Sequence, residues 1–194
     1  PLEIMKSVYN IARERNIPVH LDGARLFNAA TCLNVEAVEI AKYADSVMFC
    51  LSKGLCAPVG SMLAGSKAFI AKARRNRKIL GGGMRQAGIL AAAGIISLKK
   101  MTKRLVEDHE NAKYMANKLL EIPGVQLDID KVHIDMVFFK LDSSIIEANK
   151  LVDKLLEKNI KINNPEGGQY RFVCNNDINK NDIDYVINII KTLL

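Results

Sequence analysis

The 194-residue chain has no tryptophan, and phenylalanine, tryptophan and tyrosine together make up only 6% of it. No apolar run reaches the ~18 residues that a bilayer-spanning helix needs, so no membrane association is expected. No signal-peptide pattern opens the chain. No initiator methionine stands at Pro1 either, so the chain is expected to be a piece of a longer protein. Its three histidines are too scattered for a zinc site, and no metal is expected. The four cysteines, Cys32, Cys50, Cys56 and Cys174, form no CxxC pair, and Cys50 and Cys174 fall in apolar, strand-like runs. That usage points to reduced thiols and a cytoplasmic protein. Internal repeats and low-complexity tracts are absent. What remains is an ordinary globular composition, 49% hydrophobic and 25% charged.

The net charge of +7 permits an anionic partner. Basic residues concentrate at Lys67, Lys72, Arg74, Arg75, Arg77 and Lys78. They read as a solvated helix face, with the phosphate of a small cofactor or a subunit interface as alternatives. No nucleic-acid-binding motif accompanies them, so no nucleic-acid partner is expected.

Hydrophobic spacing predicts a helix over Leu2–Arg15, then a short strand, Val19–Asp22, stopped at Gly23. Helices are predicted over Ala24–Ala30 and Glu36–Tyr43, strands over Ser46–Leu51 and Gly60–Ala64, and a basic helix over Lys67–Leu80. Gln86–Met101 is apolar nearly all round and is expected to be a buried, closely packed helix. The strand–helix–strand order argues for an α/β fold with a mostly parallel sheet covered by helices. The texture changes near Lys99. Helices are predicted over Thr102–Glu121, Ser144–Glu157 and Asn181–Leu193, and strands over Val125–Ile129, Met136–Leu141, Ile160–Ile162 and Tyr170–Cys174. Two helices over a small antiparallel sheet would make a second, α+β domain. The domains are placed at residues 1–100 and 101–194.

Asp22 ends the first strand and Lys53 follows the second. In a parallel α/β sheet, reactive groups gather outside the carboxyl ends of the strands. An acid and a lysine there suit pyridoxal 5'-phosphate. The amine forms an imine with the cofactor aldehyde, and the carboxylate keeps the pyridine nitrogen protonated. Spacing alone also allows a plain Asp-Gly turn, with Asp22 capping the next helix and Lys53 an ordinary loop residue.

The literal residues go further. "HLDGARLFNAA" (residues 20–30), "ADSVMFCLSKGLCAPVGSMLAGS" (44–66) and "RKILGGGMRQAGILAAAG" (77–94) closely resemble the low-specificity threonine aldolases, which are fold-type-I pyridoxal-phosphate enzymes. The resemblance covers the whole chain, most strongly residues 1–100. It implies the lysine-bearing part of the large cofactor domain followed by a small α+β domain, and a homo-oligomer, dimer or tetramer. It also implies retro-aldol cleavage of threonine or allo-threonine to glycine and acetaldehyde. A β-eliminating lyase is the alternative reaction, and a non-catalytic, associating fragment the alternative of another class.

By the same resemblance, Lys53 is the imine lysine and Asp22 the partner of the ring nitrogen. Arg25 lies beside the ring hydroxyl and the incoming carboxylate. Arg171, in "YRFVCNN", clamps the substrate carboxylate through a bidentate fork; a strand-end arginine reaching to solvent is the competing reading. Arg85, with the basic helix before it, reaches the cofactor phosphate, or else merely starts a helix. His20 is expected to be half-buried in its strand and not a base. Two departures stand out. Cys56 occupies a position where the family usually has glycine, at a cost if φ is positive there, and Val173-Cys174-Asn175 replaces a usual Val-Thr-His. The family's glycine-rich phosphate loop and ring-stacking histidine would lie before Pro1.

Overall fold

The structure is a computed structural model that describes residues 1–142 and 148–194. The chain divides into two compact units, Pro1–Leu105 and Val106–Leu194.

The first unit opens with α1 (Leu2–Glu14), which ends as Arg15 N–H donates to Ala12 O and Asn16 turns left-handed at φ 55°. Asparagine is a common substitute for glycine at that turn. β1 (His20–Asp22) then runs parallel to β2 (Ser46–Cys50), with His20 opposite Ser46 and Asp22 opposite Met48. The crossover holds α2 (Leu26–Leu33) and α3 (Ala37–Ala41). α2 starts at Leu26, not Ala24, because the Asp22–Gly23 turn uses the residues between. Ala24 N–H donates to Asp22 Oδ1 at 3.1 Å and Leu26 N–H to Gly23 O at 2.7 Å.

β3 (Ser61–Gly65) pairs antiparallel with β2, in the order β1-β2-β3. The sheet is therefore mixed, with one parallel and one antiparallel pairing, where a mostly parallel one was expected. Ten residues separate Cys50 from Ser61. That is too few for a parallel crossover and enough for a hairpin. Leu26, Ala30, Ile40 and Val47 form one apolar cluster, and Leu51, Leu55, Ala57 and Leu105 another. Each leucine, isoleucine or valine among them contributes about 1.5–3 kcal/mol when fully buried.

α4 (Lys67–Ile79) is capped by Ser66, whose Oγ accepts Phe69 N–H at 3.2 Å. α5 (Gly88–Lys99) corrects the expectation of a buried helix, since only Gly94 and Ser97 are buried and Ile89 is 82% exposed. A helix apolar all round needs cover on every side, and the described residues cover one.

A 3-10 turn, Met101–Arg104, precedes α6 (Leu105–Leu120), so the long helix starts three residues later than Thr102. In the second unit β4 (Val125–Gln126), β5 (Met136–Leu141) and β6 (Tyr170–Val173) form an antiparallel sheet in that order. β4 is shorter than predicted, because Asp128 accepts Asp130 N–H at 3.2 Å and turns the chain into a 3-10 turn, Ile129–Lys131. α7 (Ala148–Glu157) and α8 (Lys180–Leu193) complete the unit. The predicted start of the former at Ser144 lies outside the described residues. Ile160–Ile162 is not a strand, since Ile160 N–H donates to Leu155 O and closes α7 behind a left-handed Asn159. Three helices pack on this sheet where two were expected. Met115 and Leu119, Leu151 and Leu155, and Ile183, Ile187 and Ile190 meet Val137, Phe139, Tyr170 and Phe172. No helix among the described residues is long and apolar enough to cross a membrane.

Candidate active site

Asp22 is the last residue of β1, and Lys53 lies three residues past the end of β2. Because these strands are parallel neighbours, both groups fall at the same end of the sheet, where α/β proteins place their ligands. Gly23 N–H donates to Met48 O at 2.8 Å, and a Cβ on Gly23 would meet that oxygen at 2.8 Å. Glycine thus lets the chain hug β2 just after the acid. Asp22 is exposed. Its Oδ1 holds Ala24 N–H, while Oδ2 makes no hydrogen bond among the described residues. The N-cap of α2 is Arg25, so Asp22 holds the turn and does not cap the helix.

The lysine loop is closed at its base by Leu51 N–H to Gly60 O and Ala57 N–H to Leu51 O, both 2.9 Å. Leu51, Leu55 and Ala57 anchor it in the core, leaving Lys53 exposed. Gly54 is buried beside it, and a Cβ there would lie 2.9 Å from Leu105 Cδ2 and 3.3 Å from Asn28 Oδ1. Cys56 donates its N–H to Lys53 O at 2.8 Å and adopts φ 57°. The position therefore has the left-handed conformation that favours glycine, at a cost of roughly 1–2 kcal/mol for cysteine.

Arg25 is half-buried, three residues past Asp22. His20 is exposed, not half-buried, because the pleat turns its side chain out of the core, and its Nδ1 lies 2.8 Å from Ser46 Oγ. Arg85 is exposed in a bend before α5, and no hydrogen bond or ion pair ties it to Asp22, Arg25 or Lys53 among the described residues. Asp22, Arg25 and Lys53 thus follow the ends of neighbouring parallel strands. Arg171 belongs to the second unit. It alternates outward between buried Tyr170 and Phe172, opposite Phe138, and lines an open groove of about 490 Å³ with Lys161, Asn163 and Asp177. No group of three or more metal-ligating side chains occurs among the described residues.

The family model of beta-eliminating lyases matches residues 1–142. The chain belongs to the beta-eliminating lyase family. Low-specificity L-threonine aldolase 1 of Arabidopsis thaliana is 40% identical over 187 residues, 96% of this chain and 52% of that protein. The low specificity L-threonine aldolase of Escherichia coli is 45% identical over 163 residues, 84% of this chain and 47% of that protein. The chain thus spans about half the length of the curated relatives it matches. A solved structure from Exiguobacterium sp. 255-15, assigned to the aromatic amino acid beta-eliminating lyase/threonine aldolase group, matches at a TM-score of 0.80 and 22% identity. It covers 98% of this chain and 56% of that one. At that identity the likeness is one of fold.

The chain also carries a buried polar cluster that its composition and motifs did not point to. Asp108, His109, Asp135 and Cys174 are all buried in the second unit. Burial, then the nearby Asp108 and Asp135 carboxylates, pushes the Cys174 thiol up to about 12. Burial also lowers His109. A signal was present: Leu105, Asp108, Ala112, Met115 and Leu119 share one helical stripe, so an acid sits in the apolar series of α6.

Proposed function

We propose that this chain is the lysine-bearing part of a pyridoxal 5'-phosphate-dependent threonine aldolase that cleaves threonine or allo-threonine to glycine and acetaldehyde. The observation that carries the reading is the placement of Asp22 and Lys53 past the carboxyl ends of neighbouring parallel strands, in a chain 40% and 45% identical to low-specificity threonine aldolases. The residues fit part of the cofactor. An exposed amine suits its aldehyde, and a carboxylate with an oxygen to spare suits its ring nitrogen. No strand, glycine-rich loop and helix in sequence forms a phosphate cradle among the described residues.

When bound, the cofactor supplies an electron sink for the pair released as the Cα–Cβ bond breaks. Lys53 is its covalent anchor. Asp22 would accept the ring N–H and favour a positive charge on that nitrogen. Arg25 would serve the ring hydroxyl and the substrate carboxylate, and Arg171 would hold a substrate carboxylate in a planar fork. Arg85 and the cations of α4 serve the phosphate. The β-hydroxyl proton passes to a base outside these residues. Residues 1–100 would be part of the cofactor domain and 101–194 the small α+β domain. We place the protein in the cytoplasm, as a dimer or tetramer; its four free cysteines support a reducing compartment.

The test is direct labelling. The chain is treated with pyridoxal phosphate and borohydride, and the pyridoxyl label is mapped by peptide mass. Label on Lys53, lost in Lys53→Ala, is expected. Label spread over surface lysines, unchanged in that variant, refutes the assignment. The family match also favours a β-elimination, which uses the same acid and lysine. Glycine with acetaldehyde, as against pyruvate with ammonia, separates the two reactions.

A further inference from the structure

His20 and Asp22 lie two residues apart on β1, so they stand on one face of the strand, roughly 6.5–7 Å apart along it. Leu21, between them, turns to the other face and packs on the cluster of Leu26, Ala30, Ile40 and Val47. The parallel register sets Ser46 beside His20 and Met48 beside Asp22. His20 Nδ1 and Ser46 Oγ are 2.8 Å apart. Ser46 is 8% exposed and lies opposite Gly65 of β3, where a Cβ would come within 3.3 Å of Ser46 Cβ. Glycine there leaves the serine its place in the sheet.

An exposed histidine needs no protein partner, because water satisfies both ring nitrogens. Here a nearly buried hydroxyl holds one of them, which fixes the ring and leaves Nε2 for another task. The hydroxyl can donate to Nδ1, and the single proton of the neutral ring then sits on Nε2. That tautomer presents a donor on the face that carries Asp22, whose Oδ1 holds Ala24 N–H and whose Oδ2 makes no hydrogen bond among the described residues. The neighbouring titratable groups are engaged elsewhere. Asp45, next to Ser46 in the chain, accepts Val19 N–H at 2.8 Å and pairs with Arg13 at 3.6 Å. Cys50, further along β2, accepts a bond from Ser61 Oγ at 3.6 Å.

We propose that His20 is a positioning residue for Asp22: anchored by Ser46, its Nε2–H reaches Oδ2 through one bridging water and keeps the carboxylate ionised and in one orientation. Each carboxylate oxygen accepts two bonds, so Oδ2 has room for the water and a cofactor ring N–H together. The inference rests on the assignment of Asp22 to the ring nitrogen, but its first test needs no cofactor.

In the cofactor-free chain, ring-nitrogen NMR of neutral His20 should show the proton on Nε2 and Nδ1 bare. The carboxyl-carbon shift of Asp22 should carry an inflection at the midpoint of the His20 titration. That inflection should shrink at least about twofold in Ser46→Ala, where the ring is no longer held. A proton on Nδ1, or an Asp22 trace that is flat across the His20 titration, overturns the proposal. The second test reads the ring nitrogen. Borohydride labelling of Lys53 with pyridoxal phosphate is compared with labelling by the analogue that carries CH in place of that nitrogen. The preference for pyridoxal phosphate should fall about tenfold in His20→Asn, whose amide reaches Ser46 and stops there. It should fall less than about threefold in His20→Gln, whose longer amide reaches the place of Nε2. His20→Asn behaving as wild type overturns the proposal, and so do equal losses in the two variants. A histidine that merely ties β1 to β2 predicts the reverse order, since asparagine keeps the Ser46 bond. Failure of Lys53 to take the label refutes the cofactor reading, and the NMR results still decide whether His20 holds Asp22.

Discussion

Cys56 offers a test of the lysine loop that needs no substrate. At φ 57° it holds a conformation that costs a residue with a Cβ roughly 1–2 kcal/mol. Glycine removes that cost but loses about 0.5–1 kcal/mol more conformational entropy on folding. Glycine should therefore stabilise this position over alanine by about 0.5–1 kcal/mol, since both lack the thiol and differ only in the Cβ. Relative to wild type the gain is smaller, because Cys56 Sγ donates a weak bond to Gly54 O at 3.4 Å. The order expected is Cys56→Gly above wild type, and wild type above Cys56→Ala. For a chain of this size, 1 kcal/mol corresponds to about 2–4 °C in Tm. Calorimetry of the three proteins reads the first unit's transition directly. Cys56→Ala matching or exceeding Cys56→Gly would show that the left-handed turn is not the state the loop occupies, and Lys53 would then not be held as described.

Asp22→Ala should lower turnover by two to nearly four orders of magnitude, the ~3–5 kcal/mol cost of leaving the charge on the ring nitrogen without its partner. Because Asp22 is exposed and holds only Ala24 N–H, its fold should survive; near-normal turnover would reduce it to a turn-holding residue. Arg171→Lys should raise KM for threonine about tenfold with the cofactor still bound, through loss of one charged hydrogen bond of ~1.5 kcal/mol; an unchanged KM leaves Arg171 a strand residue reaching to solvent. Cys174 predicts an alkaline limb of stability. Its thiol is raised from 9.0 to about 12, so the folded state keeps a proton that the unfolded state loses. That contribution is whole below pH 9 and is lost as pH rises from 9 to 12, on the order of 4 kcal/mol over the window. Urea midpoints at pH 8 and 10.5 should converge in Cys174→Ala, though not fully, because burial also raises Tyr170; an undiminished slope in that variant refutes the assignment.

The acid and the lysine were legible because each closes a short apolar run, and a strand's end is a local fact. Their shared end of the sheet followed from one parallel pairing, which the long crossover between Asp22 and Ser46 demands. The third strand was misjudged for the opposite reason: its direction depends on the ten-residue loop before it, not on its own residues. Ile160–Ile162 has the composition of a strand, but its first N–H is already spent on Leu155 O. Cys56 looked like a simple departure from glycine, and only the backbone shows that the position is left-handed.

α5 marks a different limit. Its composition called for burial, and the composition was not misleading. Periodicity reports what a segment must hide, whereas burial also requires a surface to hide it. In the second unit the stripe of α6 finds that surface in β5, β6, α7 and α8, and even Asp108 is drawn inside. In the first unit Ile89, Ile95 and Ile96 find none among the described residues. The mismatch between a sequence that demands cover and a structure that lacks it is thus itself information. It marks the sides of α5 that the described residues leave uncovered, from Ile89 and Ile96 round to Leu98.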